Sequence, residues 1–206
     1  MQKEIIWNSR ILIVDDQAAN VKLLERVLRQ KGYQHVNFVT DSREVLPLFT
    51  VVQPDLILLD LMMPNIDGFS LLTQLRSRIP EDTYLPVLVL TADISREAKE
   101  KALSLGAKDF LTKPFDTTEV ILRIHNLLET RFLHLKIQEQ NKALREQVEE
   151  HGRELQKVHL AVLGRLARDL GLPEPQIEAI RQAARRLFPE RREDLNFTEQ
   201  GEVLVT

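Results

Sequence analysis

The chain has 206 residues, of which 43% are hydrophobic and 29% are charged, and its formal net charge is -3. That length allows one large domain, or one domain of ordinary size with an appendage. The small negative charge argues against general binding to nucleic acids or membrane surfaces, and the absence of cysteine excludes disulfides, thiolate metal sites and a thiol nucleophile. No apolar run approaches the length of a membrane span and no signal peptide is recognisable, so the sequence predicts a cytoplasmic protein.

Short apolar runs alternate with helical patterns in the first part of the chain. In chain order, the pattern predicts a strand in RILIVDD, a helix in AANVKLLERVLRQKG, a strand in HVNFVT and a helix in SREVLPLFTVV, which Pro47 shortens or distorts. A strand in DLILLD, a helix in GFSLLTQLRSR and a strand in LPVLVLTA follow. Then come a helix in SREAKEKALSLGA closed by Gly106, a strand in DFLTKP and a helix from about Thr117. This alternation, without hairpin signals, predicts an α/β fold with a five-stranded parallel sheet and helices on both faces.

Polar residues stand where four of these strands end. Asp15 and Asp16 follow the first strand, Asp60 ends the third, and Thr91 and Lys113 lie at the ends of the fourth and fifth. A single acid in such a place would most simply mark a strand that has reached the surface. Right-handed crossovers, however, put all carboxyl ends along one edge of a parallel sheet, which is where such sheets bind ligands. A complementary set from four strands therefore predicts a functional site.

The three acids predict a site for a hard cation. Neighbouring carboxylates repel and raise each other's pKa unless a cation neutralises them, and oxygen ligands without His or Cys favour Mg²⁺. We expect Asp16 to bind the metal directly, Asp15 to bind it directly or through water, Asp60 to supply an oxygen, and the backbone carbonyl of Met62 to be a fourth ligand. Lys113 would lie opposite the metal, so that an anion could be held between the two positive groups.

A carboxylate beside Mg²⁺ and a lysine is arranged to attack a phosphoryl group. The product would be an aspartyl phosphate, and catalysis would consist mostly of positioning and charge neutralisation. Asp60 is the predicted nucleophile, Lys113 the catalytic cation, and Thr91 the donor to a phosphoryl oxygen.

The motifs ILIVDD, LILLDLMMPNIDG, LVLTA and DFLTKPF together resemble the receiver domain of two-component response regulators, over residues 9–129. The resemblance implies a flavodoxin-like fold and Mg²⁺-dependent phosphorylation of Asp60 by a histidine kinase or phosphotransfer protein. It also implies a switch in which Thr91 moves toward the phosphate and Phe110 turns inward, sterically only, since Phe110 has no hydroxyl. Pro114 is expected to follow a cis peptide bond. Such a protein is a phospho-acceptor in signalling rather than an ordinary enzyme.

The region after residue 129 changes to a long helical composition. Apolar and polar residues there alternate at spacings of four and three, which is the seam of a coiled coil over residues 130–170: Ile137, Asn141, Leu144, Val148, His151, Leu155, Val158 and Val162. Asn141 is a polar seam residue of the kind that fixes register in two-stranded coils. The pattern predicts a parallel homodimer, and the alternative is one solvated helix that folds back on its own receiver.

Residues 171–206 are predicted as a short helical region that is a truncated or degenerate output. The linker and LGLPEPQIEAIRQAARRL resemble the start of regulators that carry an HD-GYP phosphodiesterase domain, but the His-Asp pair and the Gly-Tyr-Pro motif are missing. The alternative function is therefore a degenerate relative of those regulators that acts as a protein-binding adaptor. One helix face carries Ile177, Ile180, Ala184 and Leu187, and LNFTEQGEVLVT is read as a strand or a tail. Acids interleaved in the basic cluster at 181–192 argue against nucleic-acid binding. The sequence predicts a downstream protein partner but does not identify it.

Overall fold

The structure, a computed structural model, describes residues 6–92 and 95–187. Its strands are β1 (Arg10–Val14), β2 (His35–Val39), β3 (Leu56–Asp60), β4 (Val87–Thr91) and β5 (Asp109–Thr112). Its helices are α1 (Ala18–Lys31), α2 (Val45–Val52), α3 (Gly68–Arg76), α4 (Arg96–Ser104), α5 (Thr117–Asp169) and α6 (Glu174–Leu187), and a short 3-10 turn (Ser42–Glu44) precedes α2.

All five strands pair in parallel, in the order β2-β1-β3-β4-β5. The register places Val14 beside Leu59, and Asp60 beside Leu90 of β4. Neighbouring strands therefore reach the same edge of the sheet within about one residue of each other. The predicted α/β class with a flavodoxin-like parallel sheet is confirmed.

Successive residues of the central strands point into two separate cores, as the pleat of a strand requires. Side chains such as Ile13 and Leu58 pack with Leu24 of α1 and Ile124 of α5 on one face. The alternate residues pack with α3 on the other face, which explains why β3 is apolar without interruption until Asp60.

The helix boundaries follow local chemistry. Asp67 caps α3, since its Oδ1 accepts from the Ser70 N–H at 3.0 Å. Gly32 and Gly106, at φ +104° and +106°, supply the left-handed residues that follow α1 and α4. Pro47 lies in the first turn of α2, where its missing N–H leaves no helical bond unmade. The predicted segment SREVLPLFTVV is therefore α-helical only from Val45, which is the shortening expected from Pro47.

The chain divides into two compact units, Met1–Gln138 and Glu139–Thr206. In the second unit, α6 packs on the end of α5 by burying Ala167, Ile177 and Ala184. Gly164 allows α5 and α6 to approach closely, because a Cβ at this position would lie only 3.0 Å from the Arg181 guanidinium. The predicted helix is thus present, while the Leu187 side chain and the segment LNFTEQGEVLVT lie outside what is described. No helix within the described residues is long and apolar enough to cross a membrane.

Candidate functional site

The polar residues predicted from strand ends come together at the carboxyl edge of the sheet. Asp15 follows β1, Asp60 ends β3 and Thr91 ends β4, and all three are buried. Lys113, just after β5, joins two of them, because its Nζ donates to Asp15 Oδ2 at 2.7 Å and to Asp60 Oδ2 at 2.6 Å. The Lys113 N–H also donates to the Thr91 carbonyl at 2.8 Å, which ties the lysine loop to β4.

Asp15, Asp16 and Asp60 form the acidic cluster of this site. Each offers one carboxylate oxygen, and these oxygens all lie within 4.8 Å of one another. Three carboxylates beside one ammonium leave an excess of negative charge. Asp16 Oδ1 is buried and has no hydrogen-bond partner among the described residues. A buried spare acceptor in an all-oxygen, negatively charged set fits a hard divalent cation such as Mg²⁺.

The side chain of Asn20 belongs to this site. Its Nδ2 donates to both carboxylate oxygens of Asp15, at 3.1 and 3.0 Å. Asn20 was not among the site residues predicted from the sequence. Together with the Gln17 N–H, which donates to Asp15 Oδ1 at 2.9 Å, it fixes the orientation of the innermost carboxylate.

Lys113 is held as a cation by its neighbours. Burial alone would lower the pKa of Lys113, but the hydrogen bonds and charges of Asp15 and Asp60 outweigh burial, so the pKa is raised. The ammonium therefore stays charged near neutral pH. The peptide bond between Lys113 and Pro114 is cis, as expected.

Asp60 is oriented by the backbone that follows it. The Met62 N–H donates to Asp60 Oδ1 at 3.1 Å, while Oδ2 accepts from Lys113. The Met62 side chain is exposed, in keeping with a role for its main chain only. That the Met62 carbonyl is a metal ligand stays a prediction.

Comparison with known proteins matches this architecture to one family. The family model for the response regulator receiver domain matches residues 11–125. The chain belongs to the response regulator receiver domain family. Its receiver is 37% identical over 127 residues to the transcriptional regulatory protein TrcR of Mycobacterium tuberculosis, covering 62% of this chain and 48% of TrcR. It is 41% identical over 125 residues to the response regulator PleD of Caulobacter vibrioides, covering 61% of this chain and 27% of PleD.

A solved structure supports the same assignment. The receiver domain of the Francisella response regulator 1452 superimposes with a TM-score of 0.55 at 34% identity, covering 61% of this chain and 99% of that one. The chain spans about a quarter to a half of the length of the curated relatives it matches. Membership therefore concerns the receiver, and the helical extension after it has to be interpreted from its own residues.

The sequence analysis did not connect two further receiver residues, Ser42 and Gly68, with the surroundings of Asp60. Ser42 is buried; its hydroxyl donates to the Pro64 carbonyl at 2.8 Å and accepts from the Ile66 N–H at 3.0 Å, so it holds the loop that follows Asp60. Gly68 donates its N–H to the Leu61 carbonyl at 3.0 Å and packs directly on the end of β3. A glycine that opens a helix right after its cap was a usable signal for Gly68. Ser42 carried no such signal.

The predicted switch residue Phe110 lies on β5 and is half-buried. The Lys99 ammonium of α4 lies 4.8 Å from the centre of the Phe110 ring, within the range of a cation–π contact. The switching roles of Thr91 and Phe110 stay predictions.

Proposed function

We propose that this receiver accepts a phosphoryl group on Asp60 from the phosphohistidine of a sensor histidine kinase or phosphotransfer protein. The observation that carries the proposal is the position of the Asp60 carboxylate. It is buried at the carboxyl edge of the sheet, bonded to the Lys113 ammonium at 2.6 Å, and adjacent to two further acids. Membership of the receiver family supports the same chemistry.

In the proposed step, a carboxylate oxygen of Asp60 attacks the phosphorus atom in line with the phosphorus–nitrogen bond. The new oxygen–phosphorus bond forms as the old bond breaks, and its electron pair stays on the imidazole nitrogen of the donor. Lys113 then moves its hydrogen bond from Asp60 to an oxygen of the transferred group, and the Thr91 hydroxyl donates to another. Positioning and charge neutralisation are the main contributions of these side chains.

Asp15, Asp16, Asp60 and the Met62 carbonyl would hold Mg²⁺ here. When bound, the cation supplies positive charge that stabilises the transferring phosphoryl oxygens. The part played by the chain is to orient the ligands, and the two Asn20 hydrogen bonds to Asp15 serve that purpose.

The output of the switch is proposed to be a change in a homodimer formed along α5. Six apolar side chains of the heptad seam are 45–61% exposed: Ile137, Leu144, Val148, Leu155, Val158 and Val162. An apolar stripe of this length on one helix needs a covering partner. Its strict spacing of four and three fits a second copy of the same helix in a parallel coil, with Asn141 setting the register.

Phosphodiesterase activity is not part of the proposal. Within residues 6–92 and 95–187, the one group of acids and histidines close enough to hold a metal is the acidic cluster beside Lys113. The chain is proposed to act as a phospho-acceptor, with catalysis limited to its own phosphorylation and dephosphorylation.

Light scattering tests the proposal. The mass of the chain is measured with Mg²⁺, with and without beryllofluoride as a mimic of aspartyl phosphate, for the natural chain and for Asp60→Asn. We expect beryllofluoride to shift the monomer–dimer equilibrium of the natural chain and to leave Asp60→Asn unchanged. Leu144→Glu should break the dimer, while Ala143→Glu, which adds the same charge one residue away from the seam, should not. A response that survives in Asp60→Asn would refute the assignment.

A further inference from the structure

The second half of the receiver holds α5 at a point beyond the family match. The Gln138 Nε2 donates to the Asp82 carbonyl at 2.5 Å, and the Arg131 Nη1 donates to the Tyr84 carbonyl at 2.7 Å. The rings of His134 and Tyr84 are stacked, with centroids 4.7 Å apart and planes 7° from parallel. We call these five residues the loop–helix clamp.

The clamp is tied to the interior of the receiver. Arg131 is only 12% exposed, and its Nε lies 4.0 Å from Asp55 Oδ1. Asp55 is itself buried and accepts from the Arg10 N–H at 3.0 Å, at the start of β1. The loop that carries Tyr84 leads directly into β4, whose far end is Thr91. One end of the clamp is thus built on the same rigid sheet that carries the phosphorylation site.

The three helix residues of the clamp share one side of α5. Arg131, His134 and Gln138 are spaced at three and four residues, so they lie on one face within two turns. Ile137, which begins the seam, stands between the last two and is 45% exposed. Because the contacts fix both the position and the rotation of these turns, they also fix the direction in which Ile137 points.

We propose that the loop–helix clamp is a rigid joint that fixes the rotation of Ile137, the first residue of the dimer seam, relative to the receiver. The inference rests on the proposed function, since it concerns how the state of Asp60 reaches the dimer. Without these contacts, α5 would bend or fray near Ile137, and a structural change at Asp60 would not reach the seam. With the contacts in place, a movement of the receiver also turns Ile137.

The test compares His134→Ala/Gln138→Ala with the natural chain and with the control Lys136→Ala. Alanine favours helix over the residues it replaces, so any loss of order comes from the missing contacts. Lys136 is exposed and lies on the opposite side of the helix from the clamp. Hydrogen exchange is measured for residues 130–138, together with beryllofluoride binding and the change in dimer mass.

In the double variant we expect exchange at residues 130–138 to be at least about tenfold faster, because two tertiary contacts are lost. Beryllofluoride should still bind, while the dimer should no longer respond to it. Lys136→Ala should behave as the natural chain. Unchanged exchange, or a full dimer response in the double variant, would overturn the clamp. If the natural chain itself showed no response, the proposed function would fail, and the exchange result would still decide whether the clamp is a rigid joint.

Discussion

Gly68 gives a sharp test of how closely α3 packs on the phosphorylation site. A Cβ at this position would lie 2.5 Å from the Asp60 carbonyl oxygen, 2.5 Å from the Leu61 Cα and 3.0 Å from the Leu61 Cδ2. The two closest atoms belong to the backbone, so they cannot rotate away. The requirement for glycine therefore comes from this close approach to the end of β3.

Gly68→Ala is expected to cost about 3 kcal/mol of unfolding free energy. Overpacking usually costs about 1–3 kcal/mol, and two contacts with fixed backbone put this case at the upper end. To relieve the clash between the new Cβ and the backbone, the start of α3 or the end of β3 has to shift by roughly 1 Å. A shift of that size at a reacting group can cost about a hundredfold in rate, so phosphorylation of Asp60 should slow markedly.

The stability assay is urea unfolding followed by the fluorescence of Trp7. This is the single tryptophan of the chain, and it packs on Tyr33 with ring centroids 5.0 Å apart, so it reports on the receiver. Gly106→Ala is the control: its Cβ would meet only Arg76 at 3.6 Å, and its positive φ alone should cost about 1–2 kcal/mol. Wild-type stability and phosphorylation rate in Gly68→Ala would refute the reasoning.

Three further predictions concern charge and burial. Lys113→Met should lower the free energy of unfolding by about 3 kcal/mol in the absence of divalent cations, because two buried carboxylates lose their ammonium. Urea unfolding measures this loss, and Mg²⁺ should restore most of it. Lys99→Met should raise the affinity for beryllofluoride about two- to fivefold, because it frees the Phe110 ring from the cation–π contact. Lys101→Met is the control, since the Lys101 ammonium lies over Phe69, and it should leave the affinity unchanged. Equal affinities in the natural chain and both variants would contradict this prediction. Burial raises the pKa of Tyr33 to about 12. Since its phenol ionises near 10 when unfolded, stability should fall by about 2 kcal/mol between pH 10 and 12, and Tyr33→Phe should remove this part of the fall.

The sheet and the main site were open to sequence reasoning because they depend on repeating patterns. Apolar strand runs that alternate with helical periodicity predict a parallel sheet. In a parallel sheet, the carboxyl ends of β1, β3 and β5 necessarily lie along one edge. The convergence of Asp15, Asp60 and Lys113 follows from that topology and needs no detail of the side chains.

The contacts that escaped prediction depend on loop geometry. Asn20 reaches Asp15 because the chain turns sharply before α1, and the sequence has no pattern that sets this turn. Ser42 holds a loop more than twenty residues away. The stack of His134 on Tyr84 joins residues fifty apart, one of them on a helix whose periodicity indicated only a coil. A helical pattern shows which face is apolar, but it does not show what covers that face.

The most direct test of the central claim is to locate the phosphoryl group. The natural chain and Asp60→Asn are incubated with Mg²⁺ and a small-molecule phosphodonor, and the acyl phosphate is mapped by peptide mass spectrometry. The account predicts one phosphoryl group per chain, on the peptide that contains Asp60, dependent on Mg²⁺ and absent from Asp60→Asn. A label on another residue, or one that persists in Asp60→Asn, would contradict it.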